Sequence, residues 1–223
     1  MDPALRRAWT CVVTPEDYDR HMAAVGQSQA AAELTRDLID SASLRSGGHI
    51  VITGAGTGQM FDYLSPAVFR PYRLTCTDLN PVFLAHLRTR LDRCGLAAAI
   101  VADDIERSAL NLRPDLLLAT LLLEHIDWRR GVEAIASLHP RACAIILQEN
   151  PPEMLTAVTP GRLLPPSIAA AVEFAHPVLV PRDALIIAMS GRGYQCRESL
   201  VREVADAKRL VGLLFPIELC LPG

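Results

Sequence analysis

Three glycines in five residues, Gly54-Ala55-Gly56-Thr57-Gly58, follow directly on the β-rich run His49-Ile50-Val51-Ile52-Thr53. A glycine-dense turn at a strand end lets backbone approach a ligand closely, because no Cβ blocks contact and positive φ is allowed. The spacing is one residue short of a dinucleotide loop, G-x-G-x-x-G, since Gln59 holds the sixth position. A second, independent feature is Asp78, twenty positions after Gly58 at the end of the next β-rich run. A carboxylate there can accept both hydroxyls of a ribose, so the two features together indicate a nucleoside-containing ligand. Further acids close later runs: Asp103-Asp104, then Glu124-His125-Ile126-Asp127, then Glu149-Asn150.

These positions require a parallel sheet with helices between its strands. The expected strands are 49–53, 72–77, 97–102, 115–122 and 142–148, the fourth apolar on both faces as a central parallel strand is. A helix is expected from Gln59 to about Leu64. Another begins at Asn80-Pro81, an N-cap followed by proline at the first helical position, with Phe83, Leu84, Leu87 and Leu91 at helical spacing. A third runs from Trp128 to Leu138. Seven prolines fall between 150 and 181, and that stretch follows a strand's C-terminal end, where open α/β sheets bind ligands. It is read as a lid over 150–180, the alternative being a loop that covers a sheet edge. After a helix from Arg182 to Ser190, two β-rich runs, Tyr194–Val204 and Lys208–Phe215, are separated by only Ala205-Asp206-Ala207, so they must pair antiparallel. The fold class is therefore α/β, doubly wound and Rossmann-like, with seven mostly parallel strands ending in an antiparallel hairpin. Its parts are an N-terminal helical cover (1–46), a ligand-binding core (47–149), the lid (150–180) and a closing helix and hairpin (181–223).

Composition narrows the partner. Twenty-two cations against 25 anions give a net charge of −3, which offers no field for a phosphate backbone, so nucleic acid is not expected. The longest apolar run, Leu116–Leu123, is far below the roughly 20 residues of a membrane span, and the first seven residues lack a signal-like apolar region. A cytoplasmic protein, monomer or homodimer, is expected. The six cysteines, Cys11, Cys76, Cys94, Cys143, Cys196 and Cys220, form no C-x-x-C pair, and the histidines no metal-binding spacing, so neither disulfides nor a zinc site is read.

In order and kind these residues resemble the class I S-adenosylmethionine-dependent methyltransferases over about 48 to 216. The resemblance implies S-adenosyl-L-methionine as cofactor. Thr53, Gly54, Ala55, Gly56 and Gly58 would wrap its methionine part, Asp78 with Leu79 would hold the ribose, and Asp103, Asp104 and Ile105 would read the adenine. Leu122, in Leu122-Leu123-Glu124-His125-Ile126, would lie under the methionine and face the acceptor. The family's acid two positions before the first glycine is replaced by Ile52, leaving the amino group to backbone carbonyls or the Thr53 hydroxyl. The N-terminal stretch, with Tyr18 and Gln29, is similar to the helical covers of small-molecule members.

Methyl transfer from a sulfonium is an in-line displacement that needs alignment and dryness rather than a nucleophilic side chain. A protonated acceptor would need a base, and His125 and Glu149 are the catalytic candidates, with Glu124 and Asp127 also at strand ends. Asn150-Pro151-Pro152 differs from the motif of amino-directed enzymes in following the fifth strand and in lacking an aromatic residue at Glu153. Apolar residues of the lid, with Arg162, Glu173 and His176, indicate a small, partly apolar acceptor. Asp127, Glu149 and Asn150 do not make a convincing metal set. Two other readings stay open: a non-catalytic adenosyl-compound-binding protein of the same fold, which Ile52 keeps in view, and an NAD(P)-dependent oxidoreductase. Against the latter stand the missing third spacing glycine, the terminal hairpin and the absence of Tyr-x-x-x-Lys, Lys208 being the only lysine.

Overall fold

The computed structural model describes residues 2–159 and 163–218, so Arg162 and Cys220 lie outside the described residues. The strands are β1 (His49–Thr53), β2 (Arg73–Asp78), β3 (Ala99–Ala102), β4 (Leu116–Thr120), β5 (Ala142–Glu149), β6 (Glu198–Glu203) and β7 (Arg209–Pro216). They form one sheet of order β3-β2-β1-β4-β5-β7-β6. β1 to β5 are parallel, while β7 runs antiparallel to both β5 and β6. The order reverses between β1 and β4, which places a crevice at the carboxyl ends of these strands.

Alternating residues of each strand feed opposite faces. Ile50, Ile52, Leu116, Leu118, Ala144, Ile146, Leu210 and Leu214 pack on one side. Against them lie Leu34 and Leu38 of α3 (Gln27–Ala42) and Leu87 and Leu91 of α4 (Pro81–Cys94). On the other side Leu117, Ala119, Cys143, Ile145, Leu147, Leu213 and Phe215 meet Val132 and Ile135 of α5 (Trp128–Ser137) and Leu185 and Met189 of α7 (Arg182–Ser190). A third cluster roofs the crevice. It joins Leu5 of α1 (Pro3–Arg7), Ala8 and Val13 to Phe83 and to Ile168 and Ala171 of α6 (Pro166–Val172). Asp17 of α2 (Pro15–Ala24) pins this roof by accepting the Ser167 N–H at 2.8 Å.

The sequence expectations need three corrections. No α-helix follows the glycine loop: residues Gln59–Asp62 and Pro66–Val68 form two short 3-10 turns. Gly58, left-handed at φ 72°, precedes the first turn and the Ser65-Pro66 step opens the second, leaving no uninterrupted run before β2. Second, α3 is not a cover but a buried layer of the sandwich, seated on β7 where Gly212 lets Leu34 and Leu38 approach. Third, Tyr194 makes only an isolated bridge to Ile217, and β6 itself begins at Glu198. The Asn80 cap stands as expected, its side chain accepting from the Val82 and Phe83 N–H groups.

Candidate functional site

The crevice at the order reversal is a cleft of about 650 Å³ including its mouth. β1 brings Thr53 to it, β2 brings Asp78 and β4 brings Thr120, with Gly54, Gly56, Leu79, Asp103, Asp104, Ile105 and Leu122 completing its base and sides. Asp78 braces the glycine loop as well as facing the cleft. Its Oδ2 accepts from the Gly56 N–H and its Oδ1 from the Asn80 N–H, both at 2.8 Å. Burial pushes its carboxyl above the usual range, an effect opposed by those amides. Asp103 is fixed by its own N–H to the Asp78 carbonyl at 3.0 Å, and its buried Oδ2 has no partner among the described residues. Asp104 is joined to Arg6 of α1 in an ion pair.

Of the residues assigned to the cofactor, Ala55 and Gly58 do not line the cleft, and of the acids considered as bases neither Glu124, Asp127 nor Glu149 does. Ala55 donates to the Thr77 carbonyl at 2.8 Å and so holds the loop on β2. Gly58 serves packing, since a Cβ there would come within 2.4 Å of Leu87. The catalytic assignment of Glu149 is corrected by its surroundings: it lines neither this cleft nor the cavity adjoining it, and Arg182 takes both its oxygens at 2.7 and 2.8 Å. Arg209 adds a bond at 2.9 Å, and these cations hold the Glu149 carboxyl below its ordinary range.

Sharing a wall with the cleft is a second cavity, called the inner cavity below, of about 750 Å³ including its mouth, lined mostly by apolar side chains of α1, α2, α6 and the segment after β5. Trp9, Tyr18, Leu121 and His125 line both spaces and form the wall between them. Sequence reasoning had no signal for Trp9, which lies 116 positions from His125. Tyr18 stacks on Phe83 with ring centres 5.5 Å apart, and Trp9 meets it edge-on. Leu121 adopts φ 51°, a conformation that costs a non-glycine residue of order 1 kcal/mol or more and often marks a functional site.

His125 is placed by a hydrogen bond of 3.0 Å from Trp9 Nε1 to its Nδ1. The proton of the neutral ring therefore sits on Nε2. Burial pushes the His125 pKa down to about 4, so the ring is neutral and its basic nitrogen already engaged near pH 7. Tyr18 is pushed up to about 12 by burial and also stays neutral. Of the N-terminal stretch, Asp19 ties α2 to the glycine loop, pairing with Thr57 and with Arg90 at 2.7 Å, whereas Gln29 is exposed and bonded to Glu33. Among the described residues no three His, Cys, Asp or Glu converge as a metal set, and no helix is long and apolar enough to cross a membrane.

A methyltransferase-domain family model matches residues 43–140. Among solved structures, the chain is similar to a S-adenosylmethionine-dependent methyltransferase from Aquifex aeolicus, at 13% identity over 91% of this chain and 98% of that one, with TM-score 0.60. It is also similar to magnesium protoporphyrin IX methyltransferase ChlM from Synechocystis PCC 6803 with bound S-adenosylmethionine (11%, 95% and 89%, 0.62). A third is N-methyltransferase NodS from Bradyrhizobium japonicum WM9 in complex with S-adenosyl-L-homocysteine (14%, 82% and 85%, 0.57). No curated protein sequence matches the chain. At these identities the likeness to solved structures concerns the fold.

Proposed function

We propose that this chain, whose residues 43–140 match a methyltransferase-domain family model and whose fold is that of S-adenosylmethionine-dependent methyltransferases, moves a methyl group from S-adenosylmethionine to a small-molecule acceptor. The observation that carries this reading is the pair of cavities meeting at the wall of Trp9, Tyr18, Leu121 and His125. The outer cleft has the donor and acceptor groups a nucleoside needs, and the inner one has apolar walls suited to a small organic molecule.

The residues present fit the cofactor. The unpartnered Asp103 Oδ2 can receive the adenine amino group, and Asp78 retains lone pairs for the ribose hydroxyls. Leu79 and Ile105 supply apolar faces for the base, while the backbone at Gly54 and Gly56, with Leu122 beneath, takes the methionine part. Thr53, buried at the end of β1, supplies a hydroxyl for the amino group where Ile52 supplies none. When bound, the cofactor supplies an electrophilic methyl carbon with a good sulfur leaving group. The chain's own task is to align the acceptor and exclude water. The described residues of the expected lid, 150–159 and 163–180, cover one side, with α1 and α2 closing the other. His125 orients rather than deprotonates, because its Nδ1 is occupied and its Nε2 carries a proton.

Calorimetry of the purified protein with S-adenosylmethionine, followed by a screen of small acceptors for S-adenosylhomocysteine release, tests the reading. Binding in the micromolar range with turnover of at least one small molecule is expected. Absence of binding would end it.

A further inference from the structure

The inner cavity contains one acidic group that no structural bond fully accounts for. Glu124 is 3% exposed and lines the cavity; its Oε1 accepts the Gln148 N–H at 2.8 Å, while its buried Oε2 has no partner among the described residues. The amides around it are otherwise engaged. Gln27 donates to Gln148 Oε1 at 2.6 Å, and Gln148 Nε2 donates to Asn150 and to the Ala157 carbonyl. A buried carboxyl left half-satisfied in an apolar space costs stability, and such costs concentrate where a ligand completes the site.

We propose that Glu124 Oε2 is the recognition group and proton acceptor of the inner cavity, so that the methyl acceptor is an apolar molecule carrying one hydroxyl or amine. This rests on the methyltransferase reading above. As the acceptor's O–H or N–H bond breaks, its proton passes to Oε2 and its electron pair forms the bond to the donated methyl carbon. The pair of the broken carbon–sulfur bond stays on sulfur. One positive charge is lost from the donor and one negative charge from Glu124, an outcome favoured in a dry, low-dielectric space.

The remaining surroundings agree. The titratable groups facing the cavity beside Glu124 are Tyr18 and His21 of α2 and the neighbouring His125. α1, α6 and the segment after β5 contribute only uncharged side chains, so nothing there is built for an acceptor's carboxylate. Burial raises the Glu124 pKa to about 7, near the pH at which a base must both exist and accept.

Four probes of one skeleton test this: naphthalene, 2-naphthol, 2-naphthylmethylamine and 2-naphthoate, titrated by calorimetry into the full chain with and without S-adenosylhomocysteine. The naphthol or the amine should bind at least tenfold more tightly than naphthalene, and the naphthoate more weakly than either. Glu124→Gln should still bind naphthalene and lose the preference. Should that variant not fold, the wild-type profile decides: naphthol affinity should rise from pH 6 to pH 8 as Oε2 loses its proton. No binding by any probe, equal binding of naphthoate, an unchanged preference in Glu124→Gln or a pH-independent naphthol affinity would overturn the proposal. A protein that binds S-adenosylhomocysteine but fails these arms keeps the function and loses only this inference. One that does not bind S-adenosylhomocysteine loses the function itself.

Discussion

The indole of Trp9 donates a 3.0 Å hydrogen bond to Nδ1 of His125, so a residue of the N-terminal stretch fixes a side chain that follows the fourth strand. Asn80 holds the same residue by its backbone, its Nδ2 donating to the Trp9 carbonyl at 2.6 Å. The wall between the two cavities is thus assembled from segments distant in the chain, and cofactor binding should be felt at Trp9.

The chain has two tryptophans, Trp9 and Trp128, and only Trp9 lines the cleft. S-adenosylhomocysteine should change the intrinsic fluorescence of the wild type and of Trp128→Phe, and leave that of Trp9→Phe unaltered. Trp9→Phe should also cost about 1 kcal/mol of stability for the lost hydrogen bond, read by urea denaturation. A full fluorescence response in Trp9→Phe would contradict this placement.

Asp78→Ala should weaken S-adenosylhomocysteine binding at least tenfold, about 1.4 kcal/mol, through loss of charge-assisted bonds to the ribose and of the brace on Gly56. Calorimetry on the folded variant checks it. Unchanged affinity would place the ribose elsewhere.

Gly58→Ala should destabilise the protein by about 2 kcal/mol or more. The residue has φ 72° and an added Cβ would lie 2.4 Å from Leu87 Cδ1, combining backbone strain with overpacking of α4. Chemical denaturation against wild type measures this, and a neutral effect would mean the loop repacks.

Two buried groups give opposite pH signatures. His125 is pushed down to about 4 from 6.5, so the unfolded chain binds more protons between these values and stability falls as pH drops through that window. Glu124 is pushed up to about 7 from 4.5, so the native state binds more protons there and stability falls as pH rises from 4.5 to 7. Glu124→Gln should therefore gain on wild type between pH 5 and pH 8, by about 1 kcal/mol or more, in urea titrations at both values. A relative loss over that interval would show that the Glu124 charge is stabilised by contacts absent from this account.

Much of the sheet was legible because parallel strands write themselves as apolar runs, two of them closed by acids, Asp78 and Asp103. The cap at Asn80-Pro81 and the closing hairpin were equally local. What the chain did not reveal depended on packing between distant segments. The helix after Gly58 failed because Pro66 divides too short a stretch, and α3 was taken for a cover because its partner, β7, lies about 170 residues away. Glu149 read as a base because its ion pair with Arg182 joins residues 33 positions apart. Glu124 was visible only as one acid among several, since the difference lies in an oxygen without a partner, which spacing does not encode.

The most direct test of the account is calorimetric titration of the purified chain with S-adenosylmethionine, S-adenosylhomocysteine and NAD, each also against Asp103→Asn. The two adenosyl compounds should bind the wild type and be weakened at least tenfold by the substitution, because the orphaned Oδ2 would no longer be a charged acceptor for the adenine amino group. Binding of NAD alone, or adenosyl binding indifferent to Asp103→Asn, would contradict the assignment of the outer cleft.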